Sequence, residues 1–92
     1  MRTDYIEVEI EGRAFRLYFD ADEPTALHIY ARHGMTEQDA AELFFEGEAR
    51  WNADRRRFES RLGERVLYWV WLNGQESGTV LVVSCFALAE EQ

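Results

Sequence analysis

The segment YIEVEIEGRAFRLYF, Tyr5 to Phe19, alternates apolar and polar side chains twice over. Ile6, Val8 and Ile10 fall on one face of the first run and Glu7, Glu9 and Glu11 on the other, which is the period of a half-buried strand. Arg13 to Phe19 repeats the pattern with Phe15, Leu17 and Phe19. The connection Glu11-Gly12 can supply the positive φ of a two-residue turn, so the segment predicts a tight β-hairpin. In that register Glu7 faces Arg16 and Tyr5 faces Tyr18, pairs that each contribute roughly 0.2–1 kcal/mol. A lone hairpin is marginal in water, so its apolar face must rest on something else.

Downstream the period changes. Asp20-Ala21-Asp22-Glu23-Pro24 places acids and a proline where a helix begins, predicting a helix to about His33 with Gly34 as its left-handed terminator. Thr36 with Asp39 three residues on forms a short capping box for a second helix. Ala40, Leu43 and Phe44 make its apolar stripe, and Gly47 closes it. The short connection makes these two segments a helical hairpin. From Ala49 the period returns to two. Ala49 to Ala53 reads as a short strand, and Arg55 to Gly63 as either a strand or a charged loop. Val66 to Leu72 is a strand apolar on both faces, Asn73 to Gly78 a turn, and Thr79 to Leu88 a long strand. The expected class is therefore α+β, in the order ββααβββ: an N-terminal hairpin, two helices, and a C-terminal antiparallel half, all on one twisted sheet. A strand apolar on both faces needs two covers, the helices on one side and a partner subunit on the other.

Ninety-two residues, 47% of them hydrophobic and 30% charged, suit one domain spanning 1–92. No apolar run approaches the roughly 20 residues of a membrane helix. The opening Met1-Arg2-Thr3-Asp4 lacks the pattern of a signal peptide, so a cytoplasmic protein away from membranes is expected. Cys85 is the only cysteine; between Val83 and Phe86 it reads as a small buried hydrophobe, and no metal site is expected. No Gly-rich phosphate loop, nucleophile elbow or HExxH pattern is present, and no cofactor is expected. The net charge of −8 opposes docking on a phosphate backbone, so no direct DNA binding is expected. Against that background, residues 49–65 carry six Arg and three acids, an isolated basic stretch.

The stretch His28-Ile29-Tyr30-Ala31-Arg32-His33-Gly34-Met35-Thr36, continuing through Asp39, Glu42, Phe44 and Phe45, resembles the helical hairpin of the BrnT-type toxins, relatives of the RelE-like ribonucleases. Gly74, Glu76, Gly78 and Val80-Leu81-Val82-Val83 resemble the central strand pair and turn of that family. Such chains continue into a further strand with a Ser-Ala-Arg type motif. Here Ala87-Leu88-Ala89-Glu90-Glu91-Gln92 follows instead. Setting Ser84-Cys85-Phe86 against that motif puts Phe86 where its Arg would stand, so either alignment leaves the cation missing. The N-terminal hairpin is additional to the family pattern and could fill the sheet position of that strand.

The resemblance implies a toxin of a toxin-antitoxin pair, which would cleave RNA. That chemistry needs a base for the 2′-hydroxyl, cations for the phosphate and an acid for the leaving oxygen. His28, Arg32, Arg50 and Arg57 are the candidate catalytic residues. His28 and Arg32 share a helix face, whereas His33 is expected to point away. The competing reading makes His28 a packing residue, His33 a partner of the helix C-terminal carbonyls, and the Arg run a solvated rim. Trp51, Trp69 and Trp71, with Arg55 and Arg56, are then candidates for partner binding. The expected function is a divergent toxin-fold protein acting mainly as a protein interaction module, with a homodimer or a cognate antitoxin-like protein as partner. An active ribonuclease is the alternative, and RNA is a partner only in that case.

Overall fold

The computed structural model describes residues 4–91, so the opening Met1-Arg2-Thr3 lies outside the described residues. The chain is α+β. Strands β1 (Tyr5–Ile10) and β2 (Arg13–Tyr18) precede helices α1 (His28–His33) and α2 (Glu37–Glu46). Strands β3 (Glu48–Asn52), β4 (Arg57–Leu62), β5 (Arg65–Trp71) and β6 (Thr79–Ala87) follow, with short 3-10 turns at Gln75–Ser77 and Leu88–Glu91. The six strands form one sheet in the order β1-β2-β6-β5-β4-β3. It is mixed, because β2 runs parallel to β6 over Ala14↔Thr79, Phe15↔Val80 and Arg16↔Leu81. All other neighbours are antiparallel.

The N-terminal hairpin has the expected register, with Tyr5 opposite Tyr18 and Glu7 opposite Arg16. Glu11 and Gly12 both have positive φ, 51° and 81°, the backbone of a type I′ turn whose twist matches that of the strands. The capping box is also present: Thr36 Oγ1 accepts from Asp39 N, and Asp39 Oδ2 accepts from Thr36 N at 2.9 Å. Gly34 ends α1 in the left-handed conformation, φ 70°.

Two expectations are corrected. The order is ββααββββ, because the Arg55–Gly63 segment contains a full strand, β4, paired on both sides. Helix α1 begins at His28, not near Pro24. The acids ahead of it form a turn instead: the Asp20 carboxylate accepts N–H groups from Asp22 and Glu23, and Leu27 pairs with Phe19.

Both helices contribute to the buried cluster on one face of the sheet. Ile29, Met35, Ala40, Ala41 and Leu43 meet Phe15, Leu17, Leu67, Trp69, Val80, Val82 and Cys85. A bulge between Tyr68 and Trp69 pairs them with Ser84 and Val82 and leaves Val83 as the extra residue. That single insertion changes the parity of β6, so Val80, Val82 and Cys85 all reach the core. On the opposite face β5 is partly covered by the chain itself. Val66 is buried, and the Tyr68 ring meets Phe86 edge-on at 5.0 Å.

Candidate functional site

The chain turns sharply after Phe19, and Asp20, only 3% exposed, ties that turn together. Its Oδ2 receives the backbone N–H groups of Asp22 and Glu23, each at 3.0 Å. Its Oδ1 receives Arg32 Nε at 3.0 Å and lies 3.0 Å from His28 Nδ1. Arg32 also donates to Asp22 Oδ2 at 2.5 Å. Burial pushes the Asp20 carboxyl up, but the hydrogen bonds from Arg32, His28 and the two backbone amides outweigh it and hold it down at about 2. The ionised carboxylate only accepts, so His28 Nδ1 donates to it and a neutral ring keeps Nε2 as an acceptor. His28 also lines a groove of about 360 Å³ with Leu17, Tyr18, Phe19, Ile29 and Val82, where β2 and β6 stop pairing. An oriented imidazole beside an apolar groove can accept a proton from, or hydrogen-bond to, a small group lodged there.

A second polar cluster lies on the face of the sheet away from the helices. Arg57 Nε donates to Glu59 at 2.9 Å, and Asn52 Nδ2 donates to the same carboxylate at 3.0 Å. The Asn52 hydrogen bond, against an opposing effect of burial and with help from Arg57, lowers the Glu59 pKa. Arg50, opposite Glu59 in register, sits 3.6 Å from Glu48 on its own strand. Glu48, Arg50, Glu59, Arg61 and Tyr68 border a shallow polar groove of about 390 Å³.

These placements separate the four candidate catalytic residues. His28 and Arg32 sit together on Asp20, while Arg50 and Arg57 lie on β3 and β4. Helix α1 packs against β6, and β5 intervenes between β6 and β4. Two strand spacings of about 4.8 Å set the Arg57 strand apart from β6, and three set the Arg50 strand apart. His33 does not point away from His28: their rings meet edge-on at 6.3 Å, and the His33 ring also tilts against Phe86 at 5.7 Å.

The expected partner-binding residues divide likewise. Trp51 is 54% exposed on β3, and Arg55 and Arg56 are exposed in the β3–β4 turn. Trp69 is corrected to an interior residue, 5% exposed, stacked on Phe58 at 4.5 Å and donating from Nε1 to Ser60 Oγ at 2.9 Å. Trp71 is half-buried against Phe44 and the Arg13 guanidinium. Asp20 and Glu59 do not stand out as site residues in the sequence. An acid directly after an apolar strand, with N–H donors two and three residues on, is the turn signature that marks Asp20. Nothing local marks Glu59, since its role arises from cross-strand register.

Among the described residues, no group of three or more His, Cys, Asp or Glu side chains is arranged to hold a metal ion. No helix among them is long and apolar enough to cross a membrane. Comparison of the chain with protein-family models, with curated proteins and with solved structures finds no match.

Proposed function

We propose that this chain is a protein interaction module of the cytoplasm, built on a divergent BrnT/RelE-like toxin fold, with ribonuclease activity weakened or absent. The observation that carries this reading is the pairing of the candidate cations. Arg32 is held by Asp20 and Asp22, Arg57 by Glu59, and Arg50 stands beside Glu48. A phosphate would have to displace a carboxylate to reach Arg32 or Arg57, Arg50 is an exposed cation beside an exposed acid, and the two groups of candidates lie on different elements. The outer edge offers the contrary properties. Strand β3 ends the sheet, carries the exposed Trp51, and borders an apolar depression formed with Phe58, Val70 and Trp71. Sheet edges with exposed aromatic groups favour protein contacts.

The test is incubation of highly purified protein with RNA, with and without ribosomes. Wild-type protein, Arg50→Ala and Arg57→Ala are expected to leave RNA intact to the same degree. Cleavage by the wild type that is lost in either variant overturns the reading in favour of a ribonuclease toxin.

A further inference from the structure

We infer that β3 is a self-complementary edge through which two copies of this chain join, antiparallel, about a twofold axis at Ala49. The inference rests on the interaction-module reading and names the partner of that edge. Among the described residues, strand β3 has β4 on one side and no strand on the other, and residues 48–51 are exposed. Such an edge presents unpaired backbone groups to a further strand. A twofold axis perpendicular to the sheet keeps Glu48, Arg50 and Asn52 of both copies on one face, so the allowed registers are those centred on a residue.

Three centres fit this short strand, and charge separates them. Centring on Arg50 sets Arg50 against Arg50 of the second copy. Centring on Trp51 leaves Arg50 opposite the neutral Asn52 and runs Glu48 and Ala49 past the end of the second copy's strand, into its turn. Centring on Ala49 sets Glu48 against Arg50 of the second copy, and Arg50 against its Glu48, with the small Ala49 side chains meeting at the axis. The same register places Trp51 of each copy opposite Gly47 of the other. Gly47 continues the extended backbone of β3, φ −77° and ψ 160°, so the pairing can run on through it.

The existing sheet extends this complementarity. Within one chain Glu48 lies opposite Arg61, and Arg50 opposite Glu59. Across the joined edge each row would therefore read Arg61, Glu48, Arg50, Glu59, alternating in sign over four strands. Opposite charges directly across a strand pair are favourable and like charges unfavourable. A five-residue strand pair makes a small interface, and small interfaces are weak and reversible, so a dissociation constant on the order of 10–100 μM is expected.

Sedimentation equilibrium of the full chain, from low micromolar to near-millimolar concentration, tests this. The wild type is expected to dimerise. Glu48→Arg and Arg50→Glu each set like charges against one another twice, and each is expected to weaken the dimer by roughly tenfold or more. Mixing the two variants brings opposite charges together again at both crossings, since one copy then carries only cations at positions 48 and 50 and the other only carboxylates, and it restores dimers as heterodimers. Far-UV circular dichroism checks that each variant is folded; the sites are exposed, with side chains 78% and 83% accessible at Glu48 and Arg50. A wild type that stays monomeric, a dimer indifferent to either reversal, or a mixture that fails to associate overturns the inference. RNA remaining intact alongside any of those results leaves the interaction-module reading standing, whereas RNA cleavage lost in Arg50→Ala or Arg57→Ala overturns that reading whatever the state of association.

Discussion

The guanidinium carbon of Arg57 lies 3.5 Å from the centroid of the Tyr68 ring, one strand away, while its Nε holds Glu59 at 2.9 Å. The arginine is therefore stacked and paired at once, which suits a structural role on the outer face. Arg57→Ala is expected to cost about 1 kcal/mol in urea unfolding, through lost cation–π contact and lost cover over Tyr68. Arg57→Lys should recover only part of it, because an ammonium cannot lie flat on the ring while bonding the carboxylate. Full recovery by Lys would show that charge alone matters at this position.

Asp20 makes stability depend on acid pH with a definite sign. Its folded pKa is lowered from 3.8 to about 2, so its contribution is present above its ordinary value and is lost as pH falls through the folded one. Asp20→Asn removes the charge but keeps an acceptor for the turn amides. The stability gap between wild type and variant is expected to be widest near neutrality and to shrink steadily between about pH 4 and pH 2, as read by urea unfolding across that range. A gap that stays constant with pH would contradict the assignment.

Ser60 is fully buried and accepts the indole N–H of Trp69 at 2.9 Å. Ser60→Ala strands that donor in the core, and a cost of about 1–3 kcal/mol is expected. Trp69→Phe removes the donor and also shrinks the core. In the double variant Ser60→Ala should cost less than it does alone, a coupling that a double-mutant cycle measures.

Gly47 has an ordinary φ, so its requirement for glycine is one of space. A Cβ there would lie 2.5 Å from the Leu43 carbonyl oxygen and 3.1 Å from that of Arg61. Both are backbone atoms at the junction of α2 with the sheet, and neither can turn aside. Gly47→Ala is expected to destabilise the chain by about 1–3 kcal/mol, visible as a lower thermal midpoint. An unchanged midpoint would mean that the junction is loose.

Local pattern makes the hairpin and the capping box legible in the sequence, because each depends on residues within a few positions of one another. Strand β4 reads ambiguously for a physical reason. Arg57, Glu59 and Arg61 face outward, while Ser60 interrupts the inward series between Phe58 and Leu62 in order to serve Trp69. The start of α1 is misplaced by its sequence because Asp20, Asp22 and Pro24 suit a helix terminus and a tight turn equally well. Only the closure of Leu27 onto Phe19 distinguishes the two. The separation of His28 from Arg57 follows from strand order, which no spacing along the chain encodes. The burial of Trp69 likewise depends on the bulge and on which face α2 covers.

The short parallel pairing of β2 with β6 bears on the order in which the molecule assembles. Three residues on each strand join a hairpin complete by Tyr18 to a meander that begins at Glu48, and Arg13 clasps the junction through the Gly78 carbonyl at 3.0 Å. Each half can form from neighbours in sequence, whereas their union must first close the long loop from Arg16 round to Thr79. Docking of the hairpin is thus expected to come late in folding, and pulse-labelled amide exchange, read separately for β1–β2 and for β4–β6, checks that order.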